Sequence, residues 1–198
     1  MALKSKKNLI LTNSWKFTMQ RVLDFILSSL TIILLSPMLA IICLLLKLTG
    51  EGEVLYKQKR VGKNGVSFDL LKFATMLKNS PDIGSGEITI YNDPRVLPFG
   101  KFLRKSKINE LPQLINIFLG DMSLVGPRPM VPKTYLHYSK KAQKILNTVK
   151  PGLTGVGSII FRDEEKILNG ISDPNTFYIE NITPYKSELE IWYVENNT

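Results

Sequence analysis

Apolar positions crowd one end of this chain. From Phe25 to Leu46 it reads FILSSLTIILLSPMLAIICLLL, 22 residues without a charge. As a helix rising 1.5 Å per residue, such a run is long enough to cross a bilayer core of about 30 Å. It starts too far into the chain and runs too long for a signal segment, and no small-residue cleavage pattern follows. Ser36-Pro37 divides it. An interior proline removes a backbone donor and kinks a helix, and Ser36 is placed to bond the carbonyl so freed. Both flanks are basic, with Lys4, Lys6, Lys7, Lys16 and Arg21 before the run and Lys47, Lys57, Lys59, Arg60 and Lys63 after it. Lysine and arginine keep helix ends on the cytoplasmic side. The run therefore reads as a plain span or as a re-entrant helix broken at Ser36-Pro37, and the two basic flanks favour the second. Arg21 and Asp24, three apart at the entrance, share a face and are set either to pair or to stand as two solvated charges.

After Gly50 the pattern turns mixed and polar. EVLYKQK (53–59) alternates as a strand, VGKNG (61–65) is an Asn-Gly turn and VSFDLLKF (66–73) is the returning strand. This hairpin carries Gln58, Arg60 and Lys72. Residues 79–94 are rich in turn formers and predict a loop with one short strand at Ile88–Ile90. Leu97 to Phe118 predicts helix in pieces. Its Lys101, Arg104, Lys105 and Lys107 interleave with Phe99, Phe102, Leu103 and Ile108, as suits an anionic lipid surface or an ordinary solvated face. Residues 132–148 predict a helix bearing His137, to which no role is assigned. Pro151-Gly152 marks a turn, and Tyr185 to Tyr193 predicts a last helix. The expected fold is α+β: a mostly helical small cytosol-facing domain with a β-hairpin (50–198) behind an N-terminal re-entrant membrane helix (1–49).

Composition adds the partner. Lys and Arg total 26 against 17 acids, a net charge of +9, which suits nucleic acid, an anionic membrane surface or a phosphorylated substrate. No nucleic-acid motif or aromatic stacking platform is present, so nucleic acid is not an expected partner. The single cysteine, Cys43, lies in the apolar run and forms no intrachain disulfide. With one histidine and no zinc-ligand cluster, serine–histidine and cysteine–histidine chemistry is not expected.

Phosphate handling needs cations, a carboxylate and often a divalent metal. Arg60, Lys72, Arg128 and Arg162 are candidates for holding phosphate, and Glu110 and Asp121 for binding metal or acting as base. Arg128 sits in Pro127-Arg128-Pro129, where two prolines fix the backbone and pre-aim a guanidinium for bidentate phosphate contact; the same tripeptide also serves as a plain turn with a surface arginine. Pro112, two residues after Glu110, sets the acid at a helix end.

These residues lie in longer matching stretches: RVLDF (21–25), Ser36-Pro37, QKRVGKNGVSF (58–68), KFATM (72–76), DPRVLPFGKFLRKSKINELPQLINIFLGDMSLVGPRP (93–129), KPGLTG (150–155) and WYVEN (192–196). In this order they resemble the small monotopic phosphoglycosyl transferases, the bacterial sugar transferase family. The resemblance implies a re-entrant helix and an α/β body on the cytoplasmic face of the bacterial inner membrane. It implies transfer of a sugar 1-phosphate from a UDP-sugar to polyprenyl (undecaprenyl) phosphate with release of UMP, opening the synthesis of an exopolysaccharide or lipopolysaccharide. Magnesium is the implied cofactor; an anionic bilayer, a second copy or the pathway's glycosyltransferases are the implied partners. In the family an aspartate-glutamate pair stands at Asn109-Glu110, the aspartate being the nucleophile, and the arginine matching Arg128 holds phosphate.

The chain departs from that pattern in four places. Asn109 replaces the nucleophile, and an amide is a far poorer one. Ala74 stands where a basic residue is common. SIIFR (158–162) differs from the usual segment but keeps Arg162. Family members generally continue past the equivalent of Thr198 with another amphipathic stretch. Three readings of Asn109 stay open: Glu110 serves as nucleophile or as base for direct attack; the site is catalytically silent and binds substrate or lipid as partner of an active enzyme; or the natural chain has aspartate there.

Overall fold

The computed structural model describes residues 2–84 and 89–197. Helix α1 spans Ala2–Thr49 and contains Pro37. Its stretch Phe17–Thr49 is long and apolar enough to cross a membrane. The helix does not break at Ser36-Pro37 as expected. It continues through, because the Ile33 carbonyl that loses its partner to the proline ring accepts instead from Ser36 Oγ at 2.8 Å. Arg21 and Asp24 do not pair with each other. The guanidinium donates to the Ile117 and Phe118 carbonyls at 2.6 and 2.7 Å. The carboxylate accepts from Ser123 Oγ and from the Leu124 N–H at 2.7 and 3.0 Å. Further along, Ile32 packs on the cluster Leu70, Leu114, Ile117 and Met122, and Ile42 and Leu46 pack with Phe73 and Leu103. One face of α1 thus lies on the body from Gln20 to Leu46, while Leu30, Ile33, Leu34, Ile41 and Leu44 stand exposed on the other.

The body begins with an antiparallel hairpin, β1 (Leu55–Val61) and β2 (Ser67–Phe73), in the register Leu55↔Phe73 to Val61↔Ser67. Its turn places Asn64 and Gly65 at φ 58° and 73°, the left-handed region that this pair of residues tolerates best. Of the strand expected at Ile88–Ile90, Ile88 lies outside the described residues and Thr89 and Ile90 are irregular. The helical pieces resolve as α2 (Pro98–Lys105), a single turn at Ile108–Glu110 and α3 (Gln113–Leu119). Asn116 fixes α3 to the hairpin: its Oδ1 accepts from the Leu71 N–H at 3.0 Å and its Nδ2 donates to the Asp69 carbonyl at 2.8 Å.

β3 (Ser123–Val125) runs parallel to β4 (Gly152–Thr154). Here backbone meets backbone, since a Cβ on Gly152 would lie 2.1 Å from the Gly126 nitrogen. Only glycine allows this approach, which seats the GPRP and PGLTG segments side by side. The predicted 132–148 helix is two, α4 (Pro132–Tyr135) and α5 (Lys140–Leu146), because Ser139 caps a new helix by accepting from the Ala142 N–H. Short helices α6 (Val156–Ile160), α7 (Glu164–Ile167) and α8 (Pro174–Phe177) lead into α9 (Thr183–Asn197). The fold is α+β, mostly helical, with a small hairpin and a long apolar N-terminal helix.

Candidate active site

A cleft of about 1520 Å³ lies between the hairpin, the α2–α3 segment, the PRP loop and the C-terminal helices. Lys72 reaches it from β2, Asn109 and Glu110 from the single turn before α3, Arg128 from the PRP loop and Arg162 from the end of α6. Lys107 enters this turn with φ 59°, a left-handed residue that stops α2 and redirects the chain into the turn carrying Asn109 and Glu110.

Glu110 is the centre. Its Oε1 lies 3.3 Å from Arg128 Nη2 and 3.9 Å from Lys72 Nζ. Burial pushes its pKa up, but Arg128, Lys72 and Lys107 outweigh that and lower it to about 2. Lys72 moves the other way. Burial is the main cause, and Arg60, Arg128 and Arg104 add to it against Glu110, bringing the amine down to about 7. Glu110 is therefore a fixed carboxylate at neutral pH, and Lys72 is poised to take a proton when an anion arrives.

Arg60 lines the same cleft. It donates to the Pro129 carbonyl at 2.9 Å and to Gln58 Oε1 at 2.6 Å, so it braces the loop that aims Arg128. Arg162 is exposed on the wall. Asp121 is not brought to Glu110. It is exposed beyond the C-terminal end of α3, accepting from Asn116 Nδ2 at 3.4 Å, and does not line the cleft. The intervening helix carries it away, so the expected Glu110–Asp121 metal pair does not form. Among the described residues, no group of three or more His, Cys, Asp or Glu is gathered as if for a metal. Asn109 is buried, and its Oδ1 has no hydrogen-bond partner among the described residues.

One wall was not anticipated. Lys186, buried on α9, pairs with Glu164, donates to the Tyr178 hydroxyl at 3.0 Å and stands 4.9 Å from the centroid of the Phe161 ring. Beside it Glu190 Oε1 accepts from the Arg128 N–H at 3.2 Å. On α9, Thr183, Lys186, Ser187 and Glu190 recur at helical spacing and are buried, while Tyr185 and Trp192 are exposed; no local pattern in the sequence announces this burial. The same helix packs Val194, Ile191 and Tyr193 on the cluster of Tyr138, Ala142 and Leu146, so its inner face is part apolar and part polar.

The profile of one family, described as bacterial sugar transferase, matches residues 15–198. The chain belongs to the bacterial sugar transferase family. It is 37% identical to the undecaprenyl-phosphate glucose phosphotransferase of Komagataeibacter xylinus, over 74% of this chain and 29% of that one. It is 35% identical to the exopolysaccharide production protein ExoY of Rhizobium meliloti, over 82% and 77%. With the undecaprenyl-phosphate galactose phosphotransferase of Salmonella typhimurium it shares 32% identity, over 100% of this chain and 40% of that one. Against ExoY the chain spans most of the relative's length; against the other two it spans well under half.

Proposed function

We propose that this chain transfers a sugar 1-phosphate from a UDP-sugar to undecaprenyl phosphate, forming a polyprenyl diphosphate sugar and releasing UMP. The observation that carries the reading is the half-buried Glu110 held between Lys72 and Arg128 in a basic cleft. The names of the relatives supply the acceptor and the class of reaction. The placing of α2 supports a lipid-borne acceptor. Its Leu103 packs against Leu46 of α1, while its Lys101 and Arg104 line the cleft. An acceptor with its tail in the bilayer beside α1 has its phosphate at the cleft.

Asn109 changes the route rather than the reaction. An alcohol acceptor needs a base, but a phosphate monoester already carries an anionic oxygen. That oxygen attacks the sugar-bearing phosphorus of the diphosphate, the bond to the bridging oxygen breaks, and UMP leaves with that oxygen. No proton moves. Such a displacement needs alignment and charge neutralisation, which Arg128, Lys72 and the surrounding cations provide. Glu110, with its low pKa, is too weak a base to be needed and serves to hold Arg128 and Lys72 in position. Magnesium fits this oxygen donor set because it needs few protein ligands and would keep most of its waters. Glu110 and the unpartnered Asn109 Oδ1 are the residues to hold it, and it would neutralise diphosphate charge. The buried amide also favours the second reading, a silent site that binds substrate for an active partner.

Membrane placement follows α1. Both ends of its apolar run touch one body, at Asp24 and at Leu46, which supports a re-entrant seat in which α1 bends at Pro37 without losing its helical course, with both flanks on the cytoplasmic side of the inner membrane.

Intact-mass analysis after incubation with a UDP-sugar and no acceptor tests the route. Wild type stays unmodified while still making lipid product when undecaprenyl phosphate is added. A phosphosugar adduct on wild type would overturn direct displacement.

A further inference from the structure

The cleft holds two buried oxygens that the transfer chemistry above does not use. Ser158 Oγ and Glu190 Oε2 are both shielded from solvent without a hydrogen-bond partner among the described residues, and both residues line the cleft. Buried polar atoms are nearly always paired, so two orphans on one wall need a reason. The backbone brings their chain segments together. Gly157 approaches Glu190 so closely that a Cβ there would lie 2.3 Å from Oε1, and Ser158 is the next residue. The other Glu190 oxygen already accepts from the Arg128 N–H, so Oε2 is the one that lacks a partner among the described residues. Burial holds the Glu190 carboxyl above its usual pKa range, with Arg128 and Lys186 opposing.

We propose that Ser158 and Glu190 form a hydroxyl-reading subsite for a sugar ring of the nucleotide donor. The inference rests on the nucleotide-sugar reading above and names what that site recognises beyond phosphate. A ring hydroxyl donates and accepts at once, and so can satisfy both orphans; a phosphate oxygen accepts only. The location fits, because the residue whose guanidinium grips phosphate is the one whose backbone N–H holds Glu190. Whatever ring is joined to that phosphate lies within reach of this wall. The transferred sugar and the ribose are the two rings that meet the description.

Calorimetry on the full chain in nanodiscs separates them, with UDP-glucose and UDP as the two probes. Ser158→Ala removes one oxygen and no existing bond. Glu190→Gln keeps the shape; the Arg128 N–H holds the amide oxygen, so an NH₂ donor replaces the accepting Oε2. Each variant, at an unchanged Tm, is expected to weaken UDP-glucose about tenfold, the scale of one lost hydrogen bond. If UDP binding is untouched, the subsite reads the transferred sugar; if both ligands weaken alike, it reads the ribose. Wild-type affinity for both probes in both variants overturns the subsite alone. A wild type that binds neither probe overturns the nucleotide-sugar reading and the subsite with it.

Discussion

At the residue scale the account rests on three charges. Arg128→Ala removes the cation closest to Glu110 and is expected to lower transfer by roughly a hundredfold or more, the usual cost of deleting one preorganised charge donor. Arg128→Lys recovers little, since a point charge cannot make the bidentate contact. Initial rates of UMP release check both, and wild-type kinetics in Arg128→Ala would reduce the PRP loop to a turn. Lys72 predicts a pH effect. Its free amine is charged below about 7 and neutral above, so affinity for a UDP-sugar falls as pH rises through that range, by at most about tenfold per unit. Stability moves the opposite way: the unfolded chain binds the extra proton between the depressed pKa and the ordinary lysine value, so folding is favoured as pH rises across that window. Lys72→Met abolishes the pH dependence of binding measured by calorimetry at pH 6 and 8.5. Glu110 and Arg128 were legible because the ELPQL and GPRP stretches concentrate them. Asp121 was misread because nearness in sequence is undone by the helix between it and Glu110. Glu190 was missed because a single acid in an acidic C-terminal helix carries no local signature; only its burial does.

At the element scale the hairpin and the pieces of helix were readable from alternation, Asn-Gly and proline punctuation, while their attachment was not. Asn116 looks like an ordinary polar residue in INIF, yet it joins α3 to β2 through two backbone bonds. Asn116→Ala leaves a donor and an acceptor unpaired and is expected to cost about 2 kcal/mol, read as a lower urea midpoint with an unchanged m value. α1 gave its apolarity to the sequence reading but hid how Pro37 is accommodated, because Ser36 closes the gap the proline opens. Cysteines placed at Met19 and Glu51, one at a time in a Cys43→Ala background, report its seat. Both label from the cytoplasmic side when the helix is re-entrant, and labelling from opposite sides would make it a span.

At the scale of the whole molecule, an apolar helix lies along a basic body, and α2 touches that helix with one face and the cleft with the other. The arrangement suits a reaction between a water-soluble nucleotide and a lipid phosphate. With an amide at Asn109, direct attack by the lipid phosphate is the chemistry that the surrounding residues support. The most direct test is UMP release from purified protein in nanodiscs, given magnesium, undecaprenyl phosphate and a panel of UDP-sugars, with Asn109→Asp and Glu110→Gln alongside. The account predicts acceptor-dependent UMP from wild type and its loss in Glu110→Gln. UMP from Asn109→Asp alone, with wild type inactive on every sugar, would contradict it and make this chain a silent binder.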